Sequence, residues 1–210
     1  MFSNYQTTPL EQWIEALYHQ HQLTQPNQLQ IVNLASKLNI WTYFTDMNSM
    51  AVENNGLFSI NLDRRLSARE QWEDFLHEVC HLLRHAGNQM TMPDQYVGWQ
   101  EQDAAAFQLY AAMPISMIKQ IQLPERKSEM IEALSEEFQV TYRLAAARLE
   151  QIQRRIFQGI MDQEFHLFIK NQTSSYHPAN WSDATRSIME KLEQLKRKGA
   201  STNGKAHHPV

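Results

Sequence analysis

The chain has 210 residues and a mass of 24.6 kDa, with 42% hydrophobic and 20% charged residues. This is the composition of one globular domain with an extension, and it excludes a disordered chain. A net charge of −4 and a pI near 6.1 argue against a protein whose main task is coating nucleic acid. No apolar run reaches the roughly 18 residues that span a bilayer, and the N-terminus lacks the basic and apolar regions of a signal peptide. Cys80 is the single cysteine and cannot form an internal disulfide. The expected setting is therefore the cytoplasm, with no membrane partner and without direct nucleic-acid binding as the main role. Neither G-x-x-x-x-G-K-[ST] nor G-x-G-x-x-G occurs, which sets aside nucleotide chemistry of those two kinds.

Thr8-Pro9-Leu10-Glu11 predicts a capping box with proline at the first helical position, opening a helix to about His21. After Gln25-Pro26-Asn27, a second helix places Ile31, Leu34, Ala35 and Leu38 on one face. Residues 41–44 are aromatic and β-branched and read as a strand. Residues 50–52 and 57–61 flank Glu53-Asn54-Asn55-Gly56 and read as a hairpin. Ser67 with Glu70 predicts a second capping box, on a helix that carries Trp72, Phe75, Val79, Leu82 and Leu83 at three- and four-residue steps and stops at Gly87. A turn-rich loop over 87–98 leads to an alanine-rich helix over 99–113, ended by Pro114. Helices are expected at 115–122, 126–138 and 142–157. From about Asn171 the sequence turns polar, with one amphipathic helix around 187–196 before a disordered end. There is no internal repeat.

The chemistry concentrates in His77-Glu78-Val79-Cys80-His81. Residues four apart lie one turn apart on the same helix face, so both imidazoles can reach one Zn²⁺. Glu78, beside the first of them, is placed to act as general base for a water attacking a carbonyl carbon. The alternative is a chance match on an amphipathic helix, but the capped helix and its apolar stripe favour a metal site.

A catalytic zinc needs a third protein ligand and an open fourth position. His85 continues the stripe, but on an unbroken helix it lies about 12 Å of rise from His77. It reads as a group supporting the ligands, a substrate-facing group or a surface histidine. Glu101 is the better candidate: Ala104 and Ala105 follow it at three and four residues, which lets its helix approach the zinc helix closely. Asp103, on a different face and shorter, ranks second. Cys80 reads as a small apolar filler. Tyr96 and Tyr110 are possible oxyanion donors that also fit the edge of a core.

With these residues in view, the sequence resembles the ImmA/IrrE-type metallopeptidases. That family pairs an H-E-x-x-H helix with E-x-x-A-[ND]-x-F and then a short run ending in Met-Pro. The matching residues here are 77–81, then Glu101-Gln102-Asp103-Ala104-Ala105-Ala106-Phe107, then Ala112-Met113-Pro114. Arg84-His85-Ala86-Gly87-Asn88-Gln89 is similar to a branch carrying R-H-x-G-N-Q. The resemblance covers roughly residues 41–152. It implies His77, His81 and Glu101 as zinc ligands and Glu78 as catalytic base. It also implies an endopeptidase acting on a protein substrate, such as a helix–turn–helix transcriptional repressor of a mobile element or a stress-response regulator. The family usually has Asn or Asp where this chain has Ala105. If that residue supports a ligand, its loss costs 10–100-fold in metal affinity or activity, with Gln102, Asp103 or Gln108 left to compensate.

The expected fold class is α+β, mostly helical: a minimal zincin-like metallopeptidase domain with a small sheet and a supporting helical segment. The expected organisation is a helical extension at 1–40, a zincin-like catalytic core at 41–125, a helical supporting segment at 126–170 and a polar, largely flexible tail at 171–210. Two other functions fit parts of the sequence. One is a non-catalytic interaction protein on the same scaffold. The other is a DNA-binding regulator using the helix pair at 128–156, with Arg143, Arg148, Arg154 and Arg155, and Lys196-Arg197-Lys198.

Overall fold

The computed structural model describes residues 2–85, 92–175 and 181–202. The expected helix stop at Gly87 and most of the R-H-x-G-N-Q stretch fall outside these residues. Helix α1 (Pro9–Gln20) opens on the expected capping box: the Glu11 amide donates to Thr8 Oγ1 at 3.1 Å and the Thr8 amide to Glu11 Oε2 at 2.8 Å. A 3₁₀ turn (Pro26–Gln28) leads to α2 (Ile31–Leu38), whose Leu34 and Ala35 are buried. Asn39 then takes the left-handed conformation at φ 55°, which short polar side chains tolerate, and turns the chain directly into the first strand.

The sheet has three strands, β1 (Ile40–Thr45), β2 (Met50–Asn54) and β3 (Leu57–Asp63), in the order β1-β3-β2. β1 runs parallel to β3 and β2 antiparallel to it. The β2–β3 hairpin closes through two residues, Asn55 at φ 52° and Gly56 at φ 80°. Two successive left-handed residues give the turn the twist that the strands require. Ile60 and Leu62 on central β3 are fully buried, and α3 packs against this strand.

Helix α3 (Ala68–Arg84) begins at Ser67, with the Ser67–Glu70 box in place. Its buried face is Trp72, Phe75, Leu76, Val79 and Cys80, while Leu82 and Leu83 are only half-buried. The stripe is rotated slightly from the expected one, and Asp74, His77, Glu78 and His81 lie outside it. Helix α4 (Asp94–Ala112) starts five residues before the expected position, so Gly98 lies inside it. One glycine costs a helix only about 1 kcal/mol, which does not stop it, and Asp94 sits favourably in the first turn.

Pro114 starts the single-turn α5 (Ile115–Ile118), where a two-turn helix was expected; the Gln120 and Ile121 amides bond three residues back and close the turn. Helices α6 (Lys127–Glu137), α7 (Tyr142–Ser175) and α8 (Asp183–Thr202) complete the described chain. α7 runs well past the expected end near Phe157, because residues 158–175 contain one glycine and no proline. α8 extends the expected segment at both ends. The protein is thus a mostly helical α+β fold with a small mixed sheet. No described helix is long and apolar enough to cross a membrane.

The chain forms two compact units, Met1–Phe157 and Gln158–Val210. In the second, α8 presents Ile188, Leu192 and Leu195 at helical spacing, all exposed. The first holds the core, and its N-terminal helix is part of it: Tyr18 donates to the Ala111 carbonyl on α4 at 2.9 Å. Arg148 on α7 is fully buried, and its Nη2 lies 2.9 Å from Glu11 Oε1 as an ion pair without hydrogen-bond alignment. Arg148 also donates to the Met113 carbonyl at 3.0 Å and to Gln151 at 2.6 Å, and its guanidinium covers the Tyr110 ring at 4.9 Å. The residue that caps α1 therefore also neutralises the buried cation of α7.

Two stability outcomes follow. Arg148→Ala strands the Glu11 charge in the core and costs about 3–5 kcal/mol in urea unfolding, whereas Arg148→Met with Glu11→Gln recovers most of that loss. Gly56→Ala meets no atom within 4 Å, so its cost is the left-handed backbone alone, about 1–2 kcal/mol in the same measurement.

Candidate metal centre

The half-exposed side of α3 meets α4 where Ala104, fully buried, keeps the two helices close. There three side chains converge. His77 Nε2 lies 3.1 Å from His81 Nε2 and 3.1 Å from Glu101 Oε2, and His81 Nε2 lies 3.4 Å from Glu101 Oε1. One donor atom from each residue falls within 4.8 Å of the others. A tetrahedral zinc with bonds near 2.0–2.1 Å separates its donor atoms by about 3.3 Å. The observed spacings fit that polyhedron edge, and two nitrogens with one oxygen are a donor set that zinc accepts. Glu101 is 45% exposed at its side chain, against 24% for His77 and 14% for His81, so the group opens to solvent on the Glu101 side.

Burial, reinforced by the neighbouring His77 and His85, lowers the His81 pKa to about 4 against the opposing pull of Glu101. His81 is thereby neutral across the physiological range, the state in which an imidazole can offer a lone pair. Glu78 is half-buried next to His77. Burial pushes its carboxyl up, and the nearby Asp74 and Glu101 charges push the same way, while His77 and the Ala51 amide of β2 hold it down. A carboxylate in that environment is better matched to taking and returning a proton near neutral pH.

The remaining candidates separate cleanly. Asp103 does not join His77 and His81; it accepts from Arg84 Nε at 2.9 Å and lies 3.2 Å from His85 Nε2. His85 is no surface histidine, since its side chain is only 4% exposed and its Nδ1 lies 2.9 Å from His81 Nδ1. The four-residue step from His81 to His85 was the signal for this contact. Cys80 is fully buried, and burial first, then Asp103, pushes its thiol up to about 12, so it is a protonated filler of the core.

Tyr110 is engaged by Arg148 and by Gln151 at 3.5 Å, and Tyr96 packs on Trp99 with ring centroids 5.8 Å apart. Ala105, Gln102 and its neighbours differ in the same way: Ala105 and Gln102 are exposed, while Gln108 lines a separate cavity. That cavity, about 350 Å³, is bordered by Asp63, Glu70, Glu73, Asp74 and Arg143 and takes in none of residues 77, 78, 81 and 101. Two of the four arginines expected to serve a DNA reader are committed internally, Arg148 in the core and Arg155 to the Gln6 carbonyl at 3.0 and 2.9 Å.

Comparison with known proteins bears on the family to which the chain belongs. The chain is 38% identical over 146 residues to the phage-like element PBSX protein XkdA of Bacillus subtilis, covering 70% of this chain and 74% of that protein. It is 34% identical over 174 residues to the uncharacterized protein YqaB of the same organism, covering 83% of this chain and 97% of that one. Among solved structures, a Mycobacterium tuberculosis transcriptional regulator shares the fold with a TM-score of 0.50 at 13% identity, over 70% of this chain. The match spans about half the length of that regulator, 48%. The Peptidase_M78 family model, described as the IrrE N-terminal-like domain, matches residues 35–150, taking in the sheet, α3, α4 and the start of α7. The chain belongs to this metallopeptidase family.

Proposed function

We propose that this protein is a zinc-dependent endopeptidase in which His77, His81 and Glu101 hold the metal and Glu78 is the general base. The observation that carries the reading is the convergence of His77 Nε2, His81 Nε2 and Glu101 at 3.1–3.4 Å, open on one side and adjacent to Glu78. Family membership supports it independently.

Zinc, when bound, supplies Lewis acidity that polarises the scissile carbonyl and acidifies water at the open position. The protein's own groups do the rest. His77 and His81 are fixed by one helix turn, so their separation does not depend on a loop. Glu101 arrives from α4 and brings the negative charge that a dication favours. Glu78 takes a proton from the attacking water at its carboxylate oxygen and returns it to the departing amine nitrogen. The elevated tendency of Glu78 to hold a proton suits that carriage.

The proposed substrate is a protein, and within that class a helix–turn–helix repressor of a mobile element or stress response. Support comes from the ImmA/IrrE resemblance and from similarity to a protein named for a phage-like element. The substrate is read from kinship, not from the shape of the site.

The test is metal content together with cleavage of a candidate helix–turn–helix repressor. Wild type and Glu78→Gln should each hold one zinc per chain, and His77→Ala should hold little. Cleavage should fall by at least 10²-fold in Glu78→Gln, the loss expected on removing a positioned general base. A wild type without zinc overturns the metal assignment. A Glu78→Gln variant that cleaves normally overturns the role of Glu78.

A further inference from the structure

A second group of metal-type side chains, Cys80, His85 and Asp103, lies beside the first. It is poorly built to take an ion of its own. Arg84 Nε sits 2.9 Å from Asp103 Oδ2, placing a cation where a second metal would need its carboxylate. What the group does have is a continuous path to the first centre. Asp103 Oδ2 contacts His85 Nε2 at 3.2 Å, and His85 Nδ1 contacts His81 Nδ1 at 2.9 Å. His81 Nε2 is the atom that faces His77 and Glu101.

We infer that His85 and Asp103 are positioning residues that fix the tautomer and ring orientation of His81. The inference rests on the proposed ligand role of His81. Its logic is set by donors and acceptors. Asp103, beside the Arg84 guanidinium, can only accept, so the His85 Nε2 that faces it at 3.2 Å presents a proton and donates it there. With Nε2 turned to Asp103, His85 Nδ1 is the atom placed 2.9 Å from His81 Nδ1 to accept the proton that a metal-facing Nε2 leaves on that nitrogen. His81 therefore carries its proton on Nδ1, and its Nε2 lone pair points into the metal centre.

Each link determines the next, and the series ends with the one lone pair the metal needs. Arg84 supplies the positive counterpart to Asp103, with its Nε 2.9 Å from Asp103 Oδ2. Burial of His85 protects the path from competing water. Outer partners of this kind hold metal-bound histidines elsewhere, and their loss typically costs 10–100-fold in affinity.

The test is zinc affinity by competition with a chromophoric chelator, with the thermal melting of each metal-free variant recorded alongside. His85→Leu removes the acceptor, Asp103→Ala removes the group that fixes the tautomer, and His85→Asn keeps an acceptor oxygen near the Nδ1 position. The expected result is one tight zinc in wild type and 10–100-fold weaker zinc in His85→Leu and Asp103→Ala. His85→Asn should stay within a few-fold of wild type, and metal-free melting should be unchanged. Wild-type affinity in both His85→Leu and Asp103→Ala overturns the inference and leaves the proposed function standing. Equal losses in the Leu and Asn variants, or losses that track a lowered melting temperature, assign His85 a packing role instead and also overturn it. A wild type that binds no zinc instead defeats the ligand assignment on which the inference rests.

Discussion

The close approach of α4 to α3 across the fully buried Ala104 is the constraint on which the rest of the site depends. For the proposed metal, a helix carrying His77 and His81 can by itself offer only two ligands, because a third on the same face would lie too far along the axis. The third has to come from a neighbour, and its arm is limited to the length of a glutamate side chain. A small residue one turn after Glu101 lets the backbones close to the distance at which that arm reaches. The same contact brings Asp103, two residues later, against Arg84 and His85. Two carboxylates on α4 thus meet α3 at different positions along it, one beside His77 and His81 and one behind them.

Environment then divides the labour among groups that are chemically alike. Glu78 and Asp103 are both partly buried carboxylates on adjoining elements, but they move in opposite directions. Burial dominates at Glu78 and raises it; at Asp103 burial is outweighed by Arg84 and His85, which hold it below the usual carboxylate range. The first is suited to exchanging protons and the second to staying charged. This separation of paired titratable groups is the pattern by which one fold supports both acid–base chemistry and fixed electrostatics near pH 7. The Glu11–Arg148 pair is a third solution, a charge pair enclosed in the core between the first and a late helix, and it commits the N-terminal segment to the same unit as the site.

Local rules made most of the elements legible in the sequence. The two capping boxes, the Asn55-Gly56 turn and the helical spacing around Trp72 and Phe75 are statements about residues three or four apart, and the structure agrees with them. Legibility failed where the deciding partner was distant or the local signal was ambiguous. Gly98 resembled a loop residue but is carried within α4. The parallel pairing of β1 with β3 cannot be read from either strand alone. Arg148 groups with three other arginines of a candidate DNA-binding helix pair, since nothing near it in sequence reveals Glu11 as its partner, 137 positions away by the numbering. At the site, the proximity of His77 and His81 follows from helical periodicity. The arrival of Glu101 in preference to Asp103 came from face and length, and the role of His85 stayed open because it depends on Asp103 from another helix.

The central claim is that two imidazoles of one helix turn and one carboxylate of the next helix hold a single zinc. X-ray absorption at the zinc edge of the metal-loaded protein tests it directly. The account predicts a shell of nitrogen and oxygen at about 2.0–2.1 Å, with the outer scattering of two imidazoles and no sulfur. A Zn–S contribution at about 2.3 Å, which only Cys80 or methionine could supply, or a shell lacking imidazole, would contradict it.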